Sequence, residues 1–298
     1  MCLAEVSRAR LRAPSAPQLL RGAARNLHNS CTNGEHAMWT GDSRDILTQQ
    51  VDVARQSGTM TSFRVMTYNV HSCVGTDGKL SVQRIADVIA RAEPDVVALQ
   101  ELDVCQSRSG GVNQPLWLAE QLHMQAHFTA ARACDDGHYG NAILSRHPFS
   151  VLSEGGLSRR SGEERAVQWL KLSIAGHDVS VMNTHLSIHF RERLLQIEQL
   201  LGAEWLAKAE QGVPLVVCGD LNSSQFSPVY RRLRRDLVDV QRANRARARP
   251  TWPSRLPLFR IDHVFASSSL RVSHCEVPRD ALSVLASDHL PLLVELSQ

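Results

Sequence analysis

Lysine is scarce in this 298-residue chain. Lys79, Lys171 and Lys208 are the only lysines, so arginine supplies nearly all of the 33 basic residues. The formal net charge is only +3, which is too small to identify a partner by itself. The seven cysteines are odd in number and scattered, and no two stand at C-x-x-C spacing. The sequence therefore indicates neither a disulfide framework nor a structural zinc site, and it predicts a reducing compartment, the cytoplasm.

The chain also lacks a long apolar run. No stretch approaches the ~20 consecutive apolar residues that a membrane-spanning helix needs, so we expect a soluble protein without a transmembrane segment. Because 43% of the residues are hydrophobic, the chain can bury a full core. One monomeric α/β domain is the simplest interpretation.

Residues 1–60 show no sustained apolar period, and we predict that they lie outside the fold. The first 30 residues carry five arginines against a single acid, Glu5, and they lack the apolar core of a secretory signal. This composition favours a disordered or leader segment, with an organellar transit peptide as the alternative. The folded domain is then expected at 61–298.

From residue 62 onward, apolar residues recur at strand and helix periods. The predicted strands are 62–70, 94–102, 140–145, 166–174, 178–186, 213–222, 260–267 and 289–296, and the predicted helices are 81–94, 114–122 and 191–208. The two central strands form a hairpin that turns at Gly176. Strands, hairpins and helices mixed in this way predict an α/β (α+β) fold, in which two packed sheets have helices outside.

Several of the apolar strands end in polar residues that can bind metal or phosphate. These residues are Asn69, Glu101, Asn183, His185, Asp220, Asn222, Asp262, Asp288 and His289. Each alone has an ordinary explanation, as a turn former or as the solvated end of a strand. Together they would require six coincidences at the same place in the structure. Because strand ends face a common rim, we expect the side chains to converge there.

The residue types in these clusters indicate phosphate chemistry. Glu101 and Asp288 offer the hard oxygen ligands that Mg²⁺ or Mn²⁺ prefers. The amides of Asn69 and Asn222 can donate hydrogen bonds to phosphate oxygens without repelling them.

Two further carboxylates suit proton transfer. Asp220 is a candidate to orient or deprotonate water. Asp262, if it meets His289, would fix the tautomer of that imidazole and stabilise its protonated form. The set predicts metal-assisted attack of water on phosphorus.

The motifs TYNVH, LQE, NTHL, GDLN, IDHV and SDHLP, in this order, resemble those of the endonuclease/exonuclease/phosphatase family, which includes DNase I, AP endonucleases, sphingomyelinases and inositol-polyphosphate phosphatases. The resemblance covers about residues 62 to 298. It implies a DNase I-like four-layer sandwich, two packed mixed β-sheets flanked by helices, and Mg²⁺-dependent cleavage of a phosphate ester.

The resemblance also implies roles for individual residues. Glu101 resembles the main metal ligand, with Asn69 and Asp288 nearby. The pair Asp220 and Asn222 resembles the groups that handle the nucleophilic water and the phosphate, and His289 with Asp262 resembles the family's His-Asp dyad.

Other positions are implied to contact the substrate. His185, in NTHL, resembles the histidine that acts on the phosphate or the leaving group in DNase-like members, and Arg165, in ERAV, resembles a phosphate-contacting arginine. We also assign Asn183, His138 and Trp252 to substrate binding. His138 stands in GHYGN, near the place where AP endonucleases carry an aromatic residue. This departure argues against an abasic-site enzyme.

Substrate identity stays open at this stage. Residues 231–249 hold eight arginines against two aspartates, a segment that can neutralise nucleic acid or an anionic lipid surface. It can equally be a solvated helix end and a flexible loop. We therefore consider three functions: a Mg²⁺-dependent phosphodiesterase for a small or lipid phosphodiester, a DNase-like nuclease of low sequence specificity, and a non-catalytic phosphate-binding protein. The third is disfavoured because every expected catalytic position holds a competent residue.

Overall fold

The computed structural model describes residues 62–158, 160, 162–244 and 248–298. The predicted leader, residues 1–60, lies outside the described residues. Within the described part of the chain, no helix is both long and apolar enough to cross a membrane.

Two six-stranded mixed sheets form the centre of the domain. The first sheet has the order β11 (Arg271–Glu276), β12 (Leu292–Ser297), β1 (Ser62–Asn69), β2 (Val96–Val104), β4 (Gly137–Ser145), β3 (Gln125–Cys134). The second has the order β5 (Phe149–Leu157), β6 (Arg165–Ile174), β7 (His177–His185), β8 (Leu215–Asp220), β10 (Asp262–Ala266), β9 (Val238–Asp239). The pairs β1–β2 and β7–β8 are parallel, whereas the other neighbours are antiparallel.

Helices cover the outer face of each sheet. On the first sheet lie α1 (Val82–Ala92), α2 (Gln114–Leu122) and α6 (Ala281–Ala286), and on the second lie α3 (Phe190–Leu201) and α4 (Pro228–Asp236), while α5 (Val240–Ala243) is a single turn. The four-layer sandwich implied by the sequence is confirmed.

Alternation along the strands produces this layering. In β1, Phe63 and Val65 pack between the sheets, whereas Met66 and Tyr68 pack under the helices. Successive side chains of a strand point to opposite faces, so a strand that is apolar on both faces must be covered on both. The near-continuous apolar runs in the sequence correspond to this double burial.

The helix predicted to reach Lys208 is shorter than expected. It ends at Leu201, because Gly202 takes extended backbone and only a short 3₁₀ turn follows at Leu206–Lys208. The apolar residues beyond Leu201 that suggested a longer helix, Trp205 and Leu206, pack against the core from this turn instead.

The arginine-rich segment begins inside a helix that sequence reading did not list. Its first residues, up to Asp236, belong to α4, which Ser227 caps. The buried face of this helix carries Tyr230 and Leu233, so the arginines occupy its opposite, solvated face. The first part of the segment is therefore a solvated helix end, one of the alternatives that the sequence left open.

The junction of β7 and β8 requires a glycine. Gly219 has a φ of +139°, and a Cβ atom there would stand 1.8 Å from the carbonyl oxygen of Thr184. The close approach sets the register in which His185 lies opposite Asp220. Only glycine allows both this φ and this contact.

We predict that Gly219→Ala lowers the free energy of unfolding by roughly 3 kcal/mol or more, because the added methyl group must displace backbone. Urea unfolding followed by circular dichroism measures the change. Gly176→Ala is the matched control, since Gly176 also has a positive φ but a Cβ added there would meet nothing within 4 Å. It should cost about 1 kcal/mol, and equal losses in both variants would contradict the steric explanation.

Candidate active site

The polar strand ends meet in one cleft at the edge of the two sheets. In the second sheet, His185 pairs with Asp220, and Asp220 pairs with Asp262, so three functional groups lie side by side. Asn69 ends β1 in the first sheet and reaches across to Asp220. The cleft has a volume of about 390 Å³ and is lined by Glu101, Arg165, His185, Ile188, Asp220, Asn222, Trp252, Phe259, Ile261 and His289.

The amide of Asn69 holds two carboxylates together. Its Nδ2 donates to Glu101 Oε1 at 2.9 Å and to Asp220 Oδ2 at 3.0 Å. Its Oδ1 accepts from the backbone N–H of His71 at 3.1 Å, which leaves one lone pair for a further partner. A buried neutral amide therefore positions two acidic groups that would otherwise repel each other.

Glu101 faces the cleft because β2 contains a bulge. Val97 and Leu99 point toward the helices, and strict alternation would send Glu101 the same way. The pairing register with β4 shifts between Leu99 and Leu102, and Glu101 has a φ of +62°. A bulge of this kind turns a side chain to the other face and is common beside active sites.

His289 is paired with Asp262, as the sequence predicted. Its Nδ1 lies 2.9 Å from Asp262 Oδ2, which also accepts a hydrogen bond from Thr251, and its Nε2 lies 3.7 Å from Asp220 Oδ2. Burial opposes the charged imidazole, but Asp262 and then Asp220 outweigh it and raise the pKa of His289 to about 10. His289 is therefore a buried imidazolium at neutral pH.

Asp220 is the most connected carboxylate of the cleft. The backbone N–H of Asn222 donates to its Oδ1 at 2.8 Å. Burial, followed by the charge of Asp262, raises the pKa of Asp220 to about 7, although His289, Asn222 and Asn69 act in the opposite direction. A carboxylate with this pKa can accept and release a proton near neutral pH.

His185 is neutral and has a donor beside each ring nitrogen. Burial and the positive charge of Arg165 lower its pKa well below the ordinary value. Arg165 Nη1 lies 3.1 Å from Nδ1, and the amide Nδ2 of Asn222 lies 3.1 Å from Nε2. A neutral imidazole accepts through one nitrogen only, so it bonds one of these two donors. Its Nε2 also lies 3.5 Å from Asp220 Oδ2.

Trp252 lines the cleft and also holds Asp288. Its Nε1 donates to Asp288 Oδ2 at 3.1 Å, and its ring packs beside Phe259. The other carboxylate oxygen, Oδ1, is buried without a hydrogen-bond partner, and the nearest cation candidate, His71 Nδ1, is 3.7 Å away. A buried carboxylate oxygen without a donor has unused capacity for a cation.

Two residues predicted to bind substrate lie away from the cleft. Asn183 is fully buried between the sheets, where its Nδ2 donates to the carbonyls of Leu99 and Ala142 and its Oδ1 accepts from Gln100. It joins the sheets and lies fully buried outside the cleft lining, so we withdraw its assignment to the substrate. His138 is exposed on β4 and is not part of the cleft lining, because alternation directs it away from the buried face that Tyr139 shares.

Tyr139 was missed as a candidate from the sequence. It is buried, burial and the charge of Glu101 raise its pKa, and a hydrogen bond from Arg165 acts in the opposite direction. Its phenol therefore lies near Arg165 and Glu101, two residues of the cleft lining. The alternation of GHYGN, with Ile143 facing the other sheet, would have selected Tyr139 rather than His138.

In the part of the chain that the structure describes, two groups of potential metal ligands meet within 4.8 Å: Glu101 with His185 and Asp220, and Asp220 with Asp262 and His289. The second group already contains its own cation, the imidazolium of His289. In the first, Nε2 of His185 already faces the amide of Asn222, and both oxygens of Asp220 accept hydrogen bonds, so the more exposed carboxylate of Glu101 is the available donor. Oxygen donors of this kind fit Mg²⁺ or Mn²⁺.

His263 follows Asp262 on β10 and is a further buried histidine of the domain. It is fully buried, its Nε2 donates to the carbonyl of Ser223 at 2.7 Å, and Arg260 lies beside its Nδ1. Burial, followed by the charge of Arg260, lowers the pKa of His263 to about 4. The folded state is therefore more stable with the neutral ring of His263 than with the protonated one.

Comparisons with known proteins agree with this geometry. The model of the Endonuclease/Exonuclease/phosphatase family matches residues 66–289. YbhP of Escherichia coli strain K12, described as an uncharacterized protein, is 26% identical over 252 residues, which cover 79% of this chain and 96% of YbhP.

Solved structures show a similar fold. An endonuclease/exonuclease/phosphatase from Beutenbergia cavernae DSM 12333 superposes with a TM-score of 0.61 and 24% identity, covering 79% of this chain and 71% of its own. A mannosyl-6-phosphatase of Bacteroides thetaiotaomicron VPI-5482 superposes with a TM-score of 0.63 and 19% identity, covering 78% and 99%. At these identities the likeness concerns the fold.

We predict that His263 makes the domain sensitive to acid. In the unfolded chain the ring returns to its ordinary pKa of 6.5, so between pH 6.5 and 4 the unfolded state binds a proton that the folded state does not. The stability from the neutral ring is complete above pH 6.5 and is lost as the pH falls toward 4, a loss of roughly 3 kcal/mol.

Urea unfolding of the wild type, His263→Gln and His274→Gln across this pH range measures the effect. The first variant should show a shallower loss of stability with acid than the wild type. The second variant changes an exposed histidine and should follow the wild type. Parallel pH profiles for all three proteins would contradict the assignment.

Proposed function

The chain belongs to the endonuclease/exonuclease/phosphatase family, and from this membership and the cleft we propose that it is a Mg²⁺-dependent phosphoesterase that hydrolyses a small or lipid phosphodiester. The observation that carries the proposal is the convergence of Glu101, Asp220 and a protonated His289 in one cleft. A structural ion pair needs only one acid and one base. Here acidic, basic and amide groups from several strands meet at one cleft, as hydrolysis requires.

Glu101 is the proposed principal ligand of the metal. Asn69 keeps a free lone pair on Oδ1, and Asp288 has a buried oxygen without a donor, so both can complete the set. When bound, Mg²⁺ would polarise the phosphoryl oxygens and offset the charge that develops on them.

Asp220 is the proposed base for the attacking water. Its Oδ1 is fixed by the N–H of Asn222 and its Oδ2 by the amide of Asn69, so the carboxylate cannot rotate away. In the deprotonated form it accepts a proton from water as the water oxygen attacks phosphorus and the ester bond from phosphorus to the leaving oxygen breaks. The leaving oxygen then takes up a proton, so that Asp220 returns to the deprotonated form. The raised pKa makes it a stronger base than an exposed carboxylate.

His289 and Asn222 are the proposed stabilisers of the phosphate. His289 directs its Nε2–H into the cleft, and Asp262 fixes its ring through Nδ1. The charge is therefore oriented before the substrate arrives, which lowers the cost of stabilising negative oxygens in the transition state. Arg165, which lines the same cleft and fixes His185, adds a second permanent cation.

The small or lipid diester is favoured over duplex DNA by the position of the arginines. The helix α4 starts at the cleft side and leads to β9, whose Val238 pairs with Ala266 at the end of β10 opposite Asp262. The arginines of α4, Arg231, Arg232, Arg234 and Arg235, thus lie on a helix that leads away from the cleft. The cleft walls are instead apolar, with Ile188, Trp252 and Phe259.

We predict that Glu101→Gln, Asp220→Asn and His289→Gln each lower turnover of bis-p-nitrophenyl phosphate with Mg²⁺ by roughly 10²-fold or more. EDTA should abolish wild-type turnover. The control variant Glu154→Gln changes a carboxylate paired with His127 on the exterior and should keep full activity.

Thermal unfolding separates loss of metal from loss of fold. Mg²⁺ should raise the Tm of the wild type, because a ligand of the folded state stabilises it, whereas Glu101→Gln should show little shift. Wild-type turnover in a correctly folded Glu101→Gln or Asp220→Asn would refute the proposed site.

The substrate class follows from a parallel panel of plasmid DNA, bis-p-nitrophenyl phosphate, a phosphomonoester and phospholipid. We expect turnover of the diester and the lipid that responds weakly to salt. A nuclease that follows a polyanion would nick plasmid and lose affinity steeply as salt rises. The monoester is included because the structurally similar protein of Bacteroides thetaiotaomicron is a mannosyl-6-phosphatase, and preference for it would replace the diester proposal.

A further inference from the structure

Large apolar side chains project into solvent around the cleft. They are between 50% and 77% exposed and comprise Ile188, Phe190, Phe226, Leu256, Leu258 and Phe259. Single exposed apolar residues are common, but six around one opening are not explained by chance exposure. None of them packs into the three cores of the described residues.

The six side chains belong to three loops that leave the same sheet edge. One loop follows β7, one follows β8, and one precedes β10. The strands β7 and β8 end at His185 and Asp220, and β10 begins at Asp262, which pairs with Asp220. All three loops therefore adjoin the catalytic groups. Ile188 and Phe259 form part of the cleft wall itself. We call these three loops, residues 186–190, 221–227 and 250–261, the apolar rim.

The apolar rim carries positive but no negative charge. None of its three loops contains an aspartate or a glutamate. Arg255 is exposed among Leu256 and Leu258, and Arg191 is exposed directly after Phe190. Aromatic and aliphatic tips beside arginines are the composition of segments that bind the interface of an anionic bilayer.

We infer that the apolar rim docks the protein on the surface of a bilayer that contains anionic phospholipids. The inference rests on the proposed function and names the source of its substrate: the phosphodiester of a phospholipid, presented at the level of the headgroups. Apolar tips of this kind enter about 5–10 Å into the interface. The cleft between them then opens onto the layer in which the lipid phosphates lie.

A bilayer fits these loops better than a folded partner protein. The tips stand on three separate loops and project outward, whereas protein interfaces need a continuous, complementary surface. A fluid interface accepts separate tips without matching their shape, and its negative surface potential attracts Arg191 and Arg255.

The test measures vesicle binding by the full chain in EDTA, so that binding does not depend on turnover. The probes are vesicles of phosphatidylcholine alone and of equimolar phosphatidylcholine and phosphatidylglycerol, separated by sedimentation. Wild-type protein should bind the anionic vesicles more tightly, and salt should weaken this binding. Phe190→Ser, Phe226→Ser and Leu256→Ser should each reduce the partition coefficient by about tenfold, a loss that corresponds to ~1.4 kcal/mol.

Leu152→Ser is the matched control, since Leu152 is an exposed leucine on β5 outside the rim. It should bind like the wild type. Turnover of the soluble diester bis-p-nitrophenyl phosphate should be unchanged in the rim variants, and this readout tests the proposed function separately from docking. Absence of wild-type binding to anionic vesicles, or equal binding by rim and control variants, would overturn the inference. Concentration-dependent dimers that Phe226→Ser abolishes, without vesicle binding, would assign the rim to a second copy instead.

Discussion

The hydrogen bonds from one buried amide determine how this domain assembles its cleft. Asn69 belongs to the first sheet, and its Nδ2 holds Glu101 of the same sheet and Asp220 of the other. Without this donor, two carboxylates at a buried edge would repel each other and separate the sheets locally. With it, the packing distance between the two apolar inner faces also sets the distance between the carboxylates of Glu101 and Asp220. The inter-sheet core below, closed by the Gln100–Asn183 hydrogen bond, keeps that spacing rigid.

Backbone strain occurs where the side chains must be redirected. Glu101 and Asn222 have positive φ, and Gly219 adopts a conformation that only glycine tolerates, all within the strand ends that form the cleft. Such conformations persist only where surrounding packing outweighs their cost. The fully buried strands β1, β2, β7 and β8 supply that packing, so the centre of the domain stabilises the distortions at its edge.

The protonation states of the two histidines in the cleft are also set by their surroundings. Asp262 receives a hydrogen bond from Thr251 and keeps His289 charged, while burial and the charge of Arg165 keep His185 neutral. Two histidines of one cleft thus carry opposite protonation states, because their nearest charged neighbours have opposite signs. The apolar rim, which contains no acidic residue, surrounds the charged groups of the cleft. The opening of the cleft therefore lies within a surface that favours a lipid interface. This combination links the proposed reaction to the proposed site of action.

The sequence by itself determined the layered fold and the order of the functional strand ends. Its double-sided apolar runs require cover on both faces. TYNVH, LQE and GDLN end those runs, and IDHV and SDHLP begin them, with groups suited to phosphate chemistry. The pairing of His289 with Asp262 could be predicted for the same reason. Only the tertiary structure decided which polar residues reach the cleft: a bulge turns Glu101 inward, whereas Asn183, two residues before His185 on the same face, is buried between the sheets. The register shift at Glu101 and the burial of Asn183 along β7 both depend on the partner strands, so a local pattern of residues cannot predict them.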